Sequence, residues 1–264
     1  MTWAGKRKLI INLLIIFLVF LPLAYLVYSK IKPVPDCFDR RKNGDEVGID
    51  CGGKCQLYCP YQKKDVVVIF ARPQRVADGL YNAVALIENK NTDAFAPMVK
   101  YRFKLYDEYN IPIATRDGTT YINPNTRQAI FEGGINVGRH EVGRVVVEFT
   151  KPITWLSTDL GSYVLPLTIS EPNYRVLNEK PMLNYTLENS GYDNIPQGNS
   201  VVLVYDKDNN AVAFSSTIMD KMSPGSKQVI VFSWPGSFGA GPFRFELYNQ
   251  VDLTKYQDKS LKNK

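Results

Sequence analysis

The sequence contains few of the residues on which enzymes most often depend for acid–base and nucleophilic chemistry. It has one histidine, His140, and four cysteines, none of which follows Cys59. His140 lies in NVGRHEVGR beside Glu141, and neither a nucleophile elbow nor a reactive cysteine lies near it. The glycine-rich run GGINVG lacks the Gly-Lys-Ser/Thr of a phosphate loop. We therefore predict no catalytic residues and expect His140 to occupy a surface loop.

The central part of the chain shows no excess of charge of either sign. The formal net charge of +6 arises at the two ends, from Lys6, Arg7 and Lys8 and from the lysines after 254. A nucleic-acid-binding protein usually gathers its basic residues on one folded face, so we predict no nucleic-acid partner. We interpret residues 1–8 as a cytoplasmic tail and residues 256–264 as a basic, solvated tail.

Charge is absent altogether from residues 9–28, LIINLLIIFLVFLPLAYLVY. A helix of this length, at 1.5 Å per residue, crosses a hydrocarbon core of about 30 Å. We therefore predict a transmembrane helix over 9–28. A cleaved signal peptide is the alternative, with Val27 and Ser29 at a cleavage site before Lys30, although its apolar region is usually shorter. Positive charges lie on both sides of this segment, so charge does not decide its orientation in the membrane. A short N-terminal tail before a long domain favours export of that domain.

The cysteines cluster directly after this segment with the spacing C-x13-C-x3-C-x3-C. An even number of clustered cysteines beside an export signal predicts two disulfides. So short a segment cannot bury a core and needs covalent cross-links. Three pairings are open, and zinc is an alternative because the x3 spacings suit zinc ligands. The predicted disulfide cysteines of this 33–62 segment are Cys37, Cys51, Cys55 and Cys59.

The same segment is rich in acids and amides and partly fits a calcium loop. Counted from Asp39, oxygen ligands or glycine stand at four of the five expected positions, whereas Arg41 places a cation at the third. An Asn-Gly turn surrounded by solvated acids is the alternative. The candidate calcium ligands are Asp39, Asn43, Asp45 and Asp50, and no other cofactor is predicted.

One run within the segment has a recognisable pattern. Residues 43–55 read Asn-Gly-Asp-Glu-x-Gly-x-Asp-Cys-Gly-Gly-x-Cys. This pattern resembles a cysteine-rich segment of many uncharacterised bacterial surface and exported proteins. The resemblance implies an extracytoplasmic setting and no known activity.

After Tyr61 the sequence repeats itself at an offset of about 100 residues. IFARPQRV corresponds to TISEPNYRV, LIEN to TLEN, FKLYD to VLVYD, and INPNTRQAIF to MSPGSKQVIVF. These matches occur in the same order, which predicts a duplicated domain. We place the first unit at 64–160 and the second at 163–255.

Each unit has the pattern of β-strands. VKYRFKLYD alternates apolar residues with lysines and arginine, which predicts one buried and one exposed face. Turn signals such as NPNT, DKDNN and SPGS separate the strand-like runs. Units of this length with short strands predict two antiparallel β-sandwiches in tandem.

The run FKLYD, at 103–107, matches the Phe-x-Leu-Tyr-Asp signature and resembles the FxLYD domain family. The preceding ENKNTDAF and the later Pro124 also fit that family. The second copy departs from the signature, with Val202 and Val204 at the Phe and Leu positions. The resemblance implies a small immunoglobulin-like β-sandwich in exported or membrane-anchored bacterial proteins, with no catalytic residues. For Asp107 and Asp206 we expect a structural role at the start of a turn.

The predicted fold class is mainly β, with an N-terminal transmembrane helix, a short disulfide-rich segment and two tandem immunoglobulin-like β-sandwiches. We expect a non-enzymatic single-pass membrane protein with its C-terminal domains outside the cytoplasm. Its expected partners are the membrane, as an integral protein, and an unidentified protein at the cell envelope. Adhesion or scaffolding is the expected role. The alternatives are an accessory spacer subunit of an envelope complex and, less favoured, an extracytoplasmic enzyme.

Overall fold

A computed structural model describes residues 3–31, 35–158, 160–239, 241 and 243–255. The chain divides into two compact units, Met1–Lys54 and Cys55–Lys264. The predicted basic tail, 256–264, lies outside the described residues. The class is mainly β with one N-terminal apolar helix, which confirms the coarse prediction.

Helix α1 spans Trp3–Ile31 and is longer than the predicted 9–28. Most of the predicted N-terminal tail is therefore helical. The stretch Ile10–Tyr28 has a mean hydropathy of 2.8, and none of it is buried against the rest of the chain. A helix that is apolar on all sides and unburied in water is unstable unless lipid covers it. By length and composition α1 suits a membrane span, and a signal sequence has the same properties.

The unit Cys55–Lys264 is built from antiparallel strands. In chain order they are β1 (Val67–Ala77), β2 (Leu80–Asn89), β3 (Ala94–Tyr106), β4 (Pro112–Ile122), β5 (Thr126–Asn136), β6 (Arg144–Phe149), β7 (Leu156–Ser157), β8 (Leu167–Ile169), β9 (Asn173–Leu177), β10 (Lys180–Asn189), β11 (Gly198–Tyr205), β12 (Ala211–Met219), β13 (Lys227–Ser233) and β14 (Arg244–Gln250).

These strands form the same arrangement twice. The first repeat has sheets β1-β2-β5 and β4-β3-β6, with β7 paired to the start of β3. The second has β13-β10-β8, with β9 also on β10, and β12-β11-β14. The two sheets of each repeat enclose a hydrophobic core. The alternation predicted for β3 is confirmed, because Val99, Tyr101, Phe103 and Leu105 are all buried.

Buried asparagines occupy equivalent places in the two repeats. Asn89 donates from Nδ2 to the backbone oxygens of Ala94 (3.0 Å) and Asn123 (2.8 Å), and its Oδ1 accepts from Asn91. Asn189 donates likewise to Asp193 and Met222. Each amide therefore joins two loops that the strands alone leave unconnected, which explains why the ends of LIEN and TLEN match.

The end of the cysteine-rich segment extends the first repeat. Leu57 forms an antiparallel bridge with Leu156, and the amide of Tyr58 donates to the carbonyl of Trp155 (3.0 Å). The Tyr58 hydroxyl also donates to Asp93. The predicted 33–62 segment is thus divided, since its residues from Cys55 onward belong to the unit that contains the sandwiches.

Candidate functional site: the junction between the two repeats

The cysteines confirm the predicted disulfides. All four are disulfide-bonded, and Cys51, Cys55 and Cys59 are also buried. A zinc site of four thiolates is therefore wrong for this segment, because sulfurs in disulfides do not supply thiolate ligands.

The candidate calcium ligands are engaged with nearby groups. Asp39 accepts from the amide of Arg41 (2.8 Å) and from Nδ2 of Asn43 (2.6 Å). Both carboxylate oxygens of Asp50 accept from the amide of Arg40, at 3.0 and 3.1 Å. The structure thus brings Asp39 and Asn43 together. Asp39 and Asp50 both stabilise a turn in which Arg40 has a φ of 59°.

Asp45 faces a cation. Its carboxylate lies 2.5 Å from Nζ of Lys54, whose hydrogen bond and charge hold the pKa of Asp45 below its usual value. The Asn43 Oδ1 atom is buried and, within the part of the chain that is described, has no hydrogen-bond partner. Calcium binding at this loop stays a prediction, which calorimetric titration of the full chain with calcium tests.

His140 lies in the connection between β5 and β6 and is exposed, as expected. A groove of about 370 Å³ runs beside it, lined by Asp107, Glu108 and Glu141. Glu141 is paired with Arg75 at 3.3 Å. Among the described residues that line this groove there is no serine, threonine or cysteine that His140 could activate as a nucleophile.

The most extensive feature that sequence reasoning missed is a third hydrophobic core, between the two repeats. Sheet β1-β2-β5 of the first repeat packs face to face on sheet β12-β11-β14 of the second. Phe131 and Phe214 meet edge to face, with ring centroids 6.2 Å apart. The buried members of this junction core are Val84, Leu86, Ala129, Val201, Leu203, Tyr205 and Phe214.

The two repeats differ in sequence at the faces that meet. On β2 the outward residues are Val84 and Leu86, whereas the equivalent outward positions of β10 hold Asn184 and Thr186. The reverse holds for the other sheet: outward positions of β3 carry Arg102 and Lys104, and the equivalent positions of β11 carry Val201 and Leu203. At these equivalent positions, apolar residues therefore occur on the two sheets that meet, and polar residues occur on the two sheets that face solvent. A signal was present in the sequence, since AVALI and VVLVY are continuous apolar runs typical of strands buried on both faces.

Side-chain amides reinforce the junction by bonding to backbone groups across it. Gln250 accepts from the amide of Ala129 (2.8 Å) and donates to its carbonyl (3.0 Å). Asn123 donates to the carbonyl of Val251 (2.9 Å) and accepts from the amide of Leu253. Because β5 lies at the edge of its sheet, Gln250 satisfies backbone groups that strand pairing leaves open.

Two tyrosines sit among charges at the rim of the junction core. Burial first, and then the neighbouring Glu246, raises the pKa of Tyr205 to about 12. Burial and the hydrogen bond to Glu246 (2.8 Å) raise the pKa of Tyr248 as well. The pKa of Glu246 lies below its usual value. Burial acts to raise this pKa, but the hydrogen bonds from Arg244 and Tyr248 lower it by more.

The raised pKa values of Tyr205 and Tyr248 predict that the protein loses stability at alkaline pH. An unfolded tyrosine ionises at about pH 10, whereas these two ionise at higher pH in the folded protein. The stability that they contribute is therefore fully present below about pH 10 and declines as the pH rises toward 12. We expect the free energy of unfolding, measured by urea titration, to fall between pH 9.5 and 11.5. The double variant Tyr205→Phe, Tyr248→Phe should show a shallower fall. An identical slope in this variant contradicts the assignment, and Tyr109→Phe, at an exposed tyrosine, is the control.

A cleft of about 420 Å³ opens at one end of the junction. It is lined by β8 and β14, by the segment that links the repeats, and by residues 123–128 at the turn from β4 to β5 of the first repeat. Its walls are largely apolar and are formed in part by Val164, Leu165, Leu167, Ile169 and Leu247, with Asn249 among the polar lining residues. The cleft therefore joins a hydrophobic surface to the edge of a sheet, a combination suited to binding another chain.

No protein-family model matches this chain, and no curated protein matches it. Among solved structures it is similar to the crystal structure of red sea bream transglutaminase, at 10% sequence identity and a TM-score of 0.24. The match covers 70% of this chain and 29% of that one. A similarity with so low a TM-score supports no inference about fold or activity.

Proposed function

We propose that this chain is a non-enzymatic, single-pass membrane protein of the cell envelope. Its two immunoglobulin-like sandwiches stand outside the cytoplasm and hold a partner protein in place. Scaffolding or adhesion is the role, and an accessory spacer subunit of an envelope complex is the second candidate.

Two features support anchoring and export. Helix α1 exposes its apolar side chains on every side, as a helix in lipid does. The two disulfides that follow it persist in oxidising compartments and are rare in the cytosol. In this proposal α1 stays uncleaved and Cys55–Lys264 lies on the exported side of the membrane.

The repeated sandwich supports the immunoglobulin-like and FxLYD-like assignment. In the first repeat the sheet β1-β2-β5 faces a sheet centred on β3, and in the second repeat the sheet β13-β10-β8, with β9 also on β10, faces a sheet centred on β11. The final Asp of the signature has the same role in both copies: Asp107 accepts from the amides of Tyr109 and Ile111, and Asp206 from those of Asp208 and Asn210. This structural role is the one expected from the sequence.

The junction core is the observation that carries the proposal. Neighbouring domains move relative to each other by default, unless a large apolar interface joins them. Here seven buried apolar residues and the amide bonds of Gln250 and Asn123 join the repeats. The sandwiches therefore act as one rigid body, which suits fixed spacing of a partner and favours the spacer role over a flexible adhesin.

Chemical crosslinking of the full chain in its native membrane tests the proposal. A lysine-reactive crosslinker is expected to yield one neighbour in stoichiometric amount. Recovery of the chain alone, or of many unrelated proteins in traces, contradicts the scaffold and spacer roles.

Thiol alkylation tests export. We expect a maleimide to leave the native protein unlabelled in membrane fractions, because all four sulfurs are in disulfides. After reduction and unfolding, mass spectrometry should show four labels. Labelling of the native protein without reductant rules out an oxidising compartment.

A further inference from the structure

We propose that α1 associates with α1 of a second copy of this chain, the two helices lying parallel in the membrane. The face through which they meet is named the Asn12 face and consists of Asn12, Ile15, Val19, Pro22 and Leu26. This inference rests on one part of the proposed function, the uncleaved membrane span, and adds a partner to it.

Side chains of different shape lie on different sides of α1. At about 100° per residue, the aromatic residues of Ile10–Tyr28 fall within an arc of about 140°. These residues are Phe17, Phe20, Tyr25 and Tyr28. The Asn12 face occupies an arc of about 80° on the other side of the helix and carries no aromatic residue. Lipid that surrounds a helix evenly does not select one side for aromatic residues, so the two sides are expected to meet different surroundings.

The Asn12 face is also the side on which two backbones can approach most closely. Between Ile10 and Leu23 the smallest side chains are those of Val19 and Pro22, and both lie on this face. Membrane helices associate by van der Waals packing, and small side chains at the contact strengthen it because they allow close approach. Ile15 and Val19 are also β-branched, so they lose little rotamer freedom on packing. The Asn12 face therefore offers packing that the aromatic side does not.

The spacing of the Asn12 face is that of a parallel helix pair. Its members follow one another by steps of three and four residues, which are the a and d positions of a coiled coil. Helix pairs in membranes mostly cross at about 20°, as coiled coils do. Asn12, Val19 and Leu26 then occupy a positions, and an asparagine at a single a position specifies the register and the number of helices.

Asn12 indicates which helix covers the face. Its side chain is exposed within the apolar stretch Ile10–Tyr28, and the described part of the chain offers it no hydrogen-bond partner. An amide carries both a donor and an acceptor, so two facing asparagines satisfy each other. Copies inserted in the same direction place Asn12 at the same depth, whereas an unrelated helix needs a polar group matched to that depth. A second copy therefore fits the face by symmetry.

Association through α1 bears on how the exported unit holds its partner. Two anchors side by side bring two copies of Cys55–Lys264 to one place in the membrane. A partner with two contact sites is then held by both copies, and the second contact forms at a high effective concentration. Weak single contacts are sufficient for stable positioning under these conditions.

Cysteine crosslinking of the full chain in its native membrane tests the contact. Val19→Cys places a thiol on the Asn12 face, and Leu21→Cys places one at nearly the same depth on the aromatic side. Under mild oxidation we expect Val19→Cys to form a disulfide-linked dimer and Leu21→Cys to stay largely monomeric. The wild-type chain, whose four cysteines are already in disulfides, shows the background.

Sedimentation equilibrium of the purified full chain, in detergent micelles of matched density, measures the dissociation constant of the dimer. Asn12→Leu should raise this constant by about threefold to tenfold, the range that one interhelical hydrogen bond in a membrane gives. Asn12→Gln keeps the amide and should retain most of the affinity. Leu14→Ala, on the aromatic side, should change the constant by less than about twofold. All of these variants leave α1 uncharged over its apolar stretch, so its insertion is preserved.

Each other outcome overturns the proposal. Equal dimer yields from positions 19 and 21 indicate random collision, and no dimer at either position excludes the contact. A disulfide from position 19 to another protein means that a partner's helix, and not a second copy, covers the face. An unchanged dissociation constant in Asn12→Leu overturns the pairing of asparagines on which the choice of a second copy depends.

Mass spectrometry of the chain purified from membranes separates failure of this inference from failure of the proposed function. A chain that begins after α1 has lost its anchor, which overturns both. An intact chain that stays monomeric overturns only the self-association and leaves the single-pass role in place. An intact chain that forms the dimer through position 19 supports both.

Discussion

Leu203→Lys is expected to lower the free energy of unfolding by about 3–5 kcal/mol. Leu203 is fully buried in the junction core, on the face of β11 that meets the first repeat. Lysine is the residue that the first repeat carries at the equivalent position, as Lys104, where the face is open and Glu148 pairs with it at 2.8 Å. At the junction the first repeat covers this face, and the acid opposite Leu203, Glu246 on β14, already accepts hydrogen bonds from Arg244 and Tyr248. The repeats must therefore separate, or the added charge must stay buried.

Calorimetry measures this effect. The wild-type chain is expected to unfold its two repeats in one transition, and Leu203→Lys in two, because the core of each repeat remains intact while their coupling is lost. The matched control is Val229→Lys, which adds the same charge on an exposed face and should cost about 0.5 kcal/mol or less. A single unshifted transition in Leu203→Lys contradicts the rigid junction and, with it, the spacer role.

Asn89→Ala is expected to lower the free energy of unfolding by about 3–4 kcal/mol, because it removes buried hydrogen bonds to two backbone carbonyls and leaves the amide of Asn91 without its acceptor. The carbonyls belong to Ala94 and Asn123, and Asn89 itself is 1% exposed. The carbonyl of Asn123 keeps one donor, the hydroxyl of Thr126. Since Asn123 also bonds across the junction to Val251, the loss should weaken both the first repeat and its contact with the second.

Urea titration of the solubilised chain measures the change in the free energy of unfolding. Asn189→Ala, at the equivalent site of the second repeat, should cost a similar amount because its amide makes the same two donor bonds. Asn184→Ala, on the outward face of β10, is the control and should fall within about 0.5 kcal/mol of wild type. A cost below 1 kcal/mol for both buried asparagines would show that water replaces these bonds.

Local pattern was sufficient for much of the fold. The alternation of β3, with Phe103 and Leu105 inward and Lys104 outward, follows from a side-chain period of two and holds in the structure. The turns begun by Asp107 and Asp206 were likewise predictable, because an aspartate can accept hydrogen bonds from amides only two and four residues ahead of it.

The acidic loop shows where pattern was insufficient. Spacing alone presents Asp39, Asn43 and Asp50 as oxygen ligands, yet the same oxygens also suit the nearby amides of Arg40 and Arg41. Both uses need an acid at the same sequence position. Three-dimensional geometry is required to see which groups those oxygens meet.

The sequence by itself determined the apolar helix, the cross-linked cysteines and the duplication of a β-sheet unit, because each depends on composition or on contacts between residues of one repeat. Only the tertiary structure decided that the repeats pack face to face and that a cleft opens beside their junction. Val84 on β2 and Leu203 on β11 belong to the same core although more than a hundred residues separate them in the chain. An apolar run in the sequence does not indicate which surface will cover it. The difference between the copies at these positions becomes meaningful once the partner face is known, since burial, and not strand periodicity, selects apolar residues there.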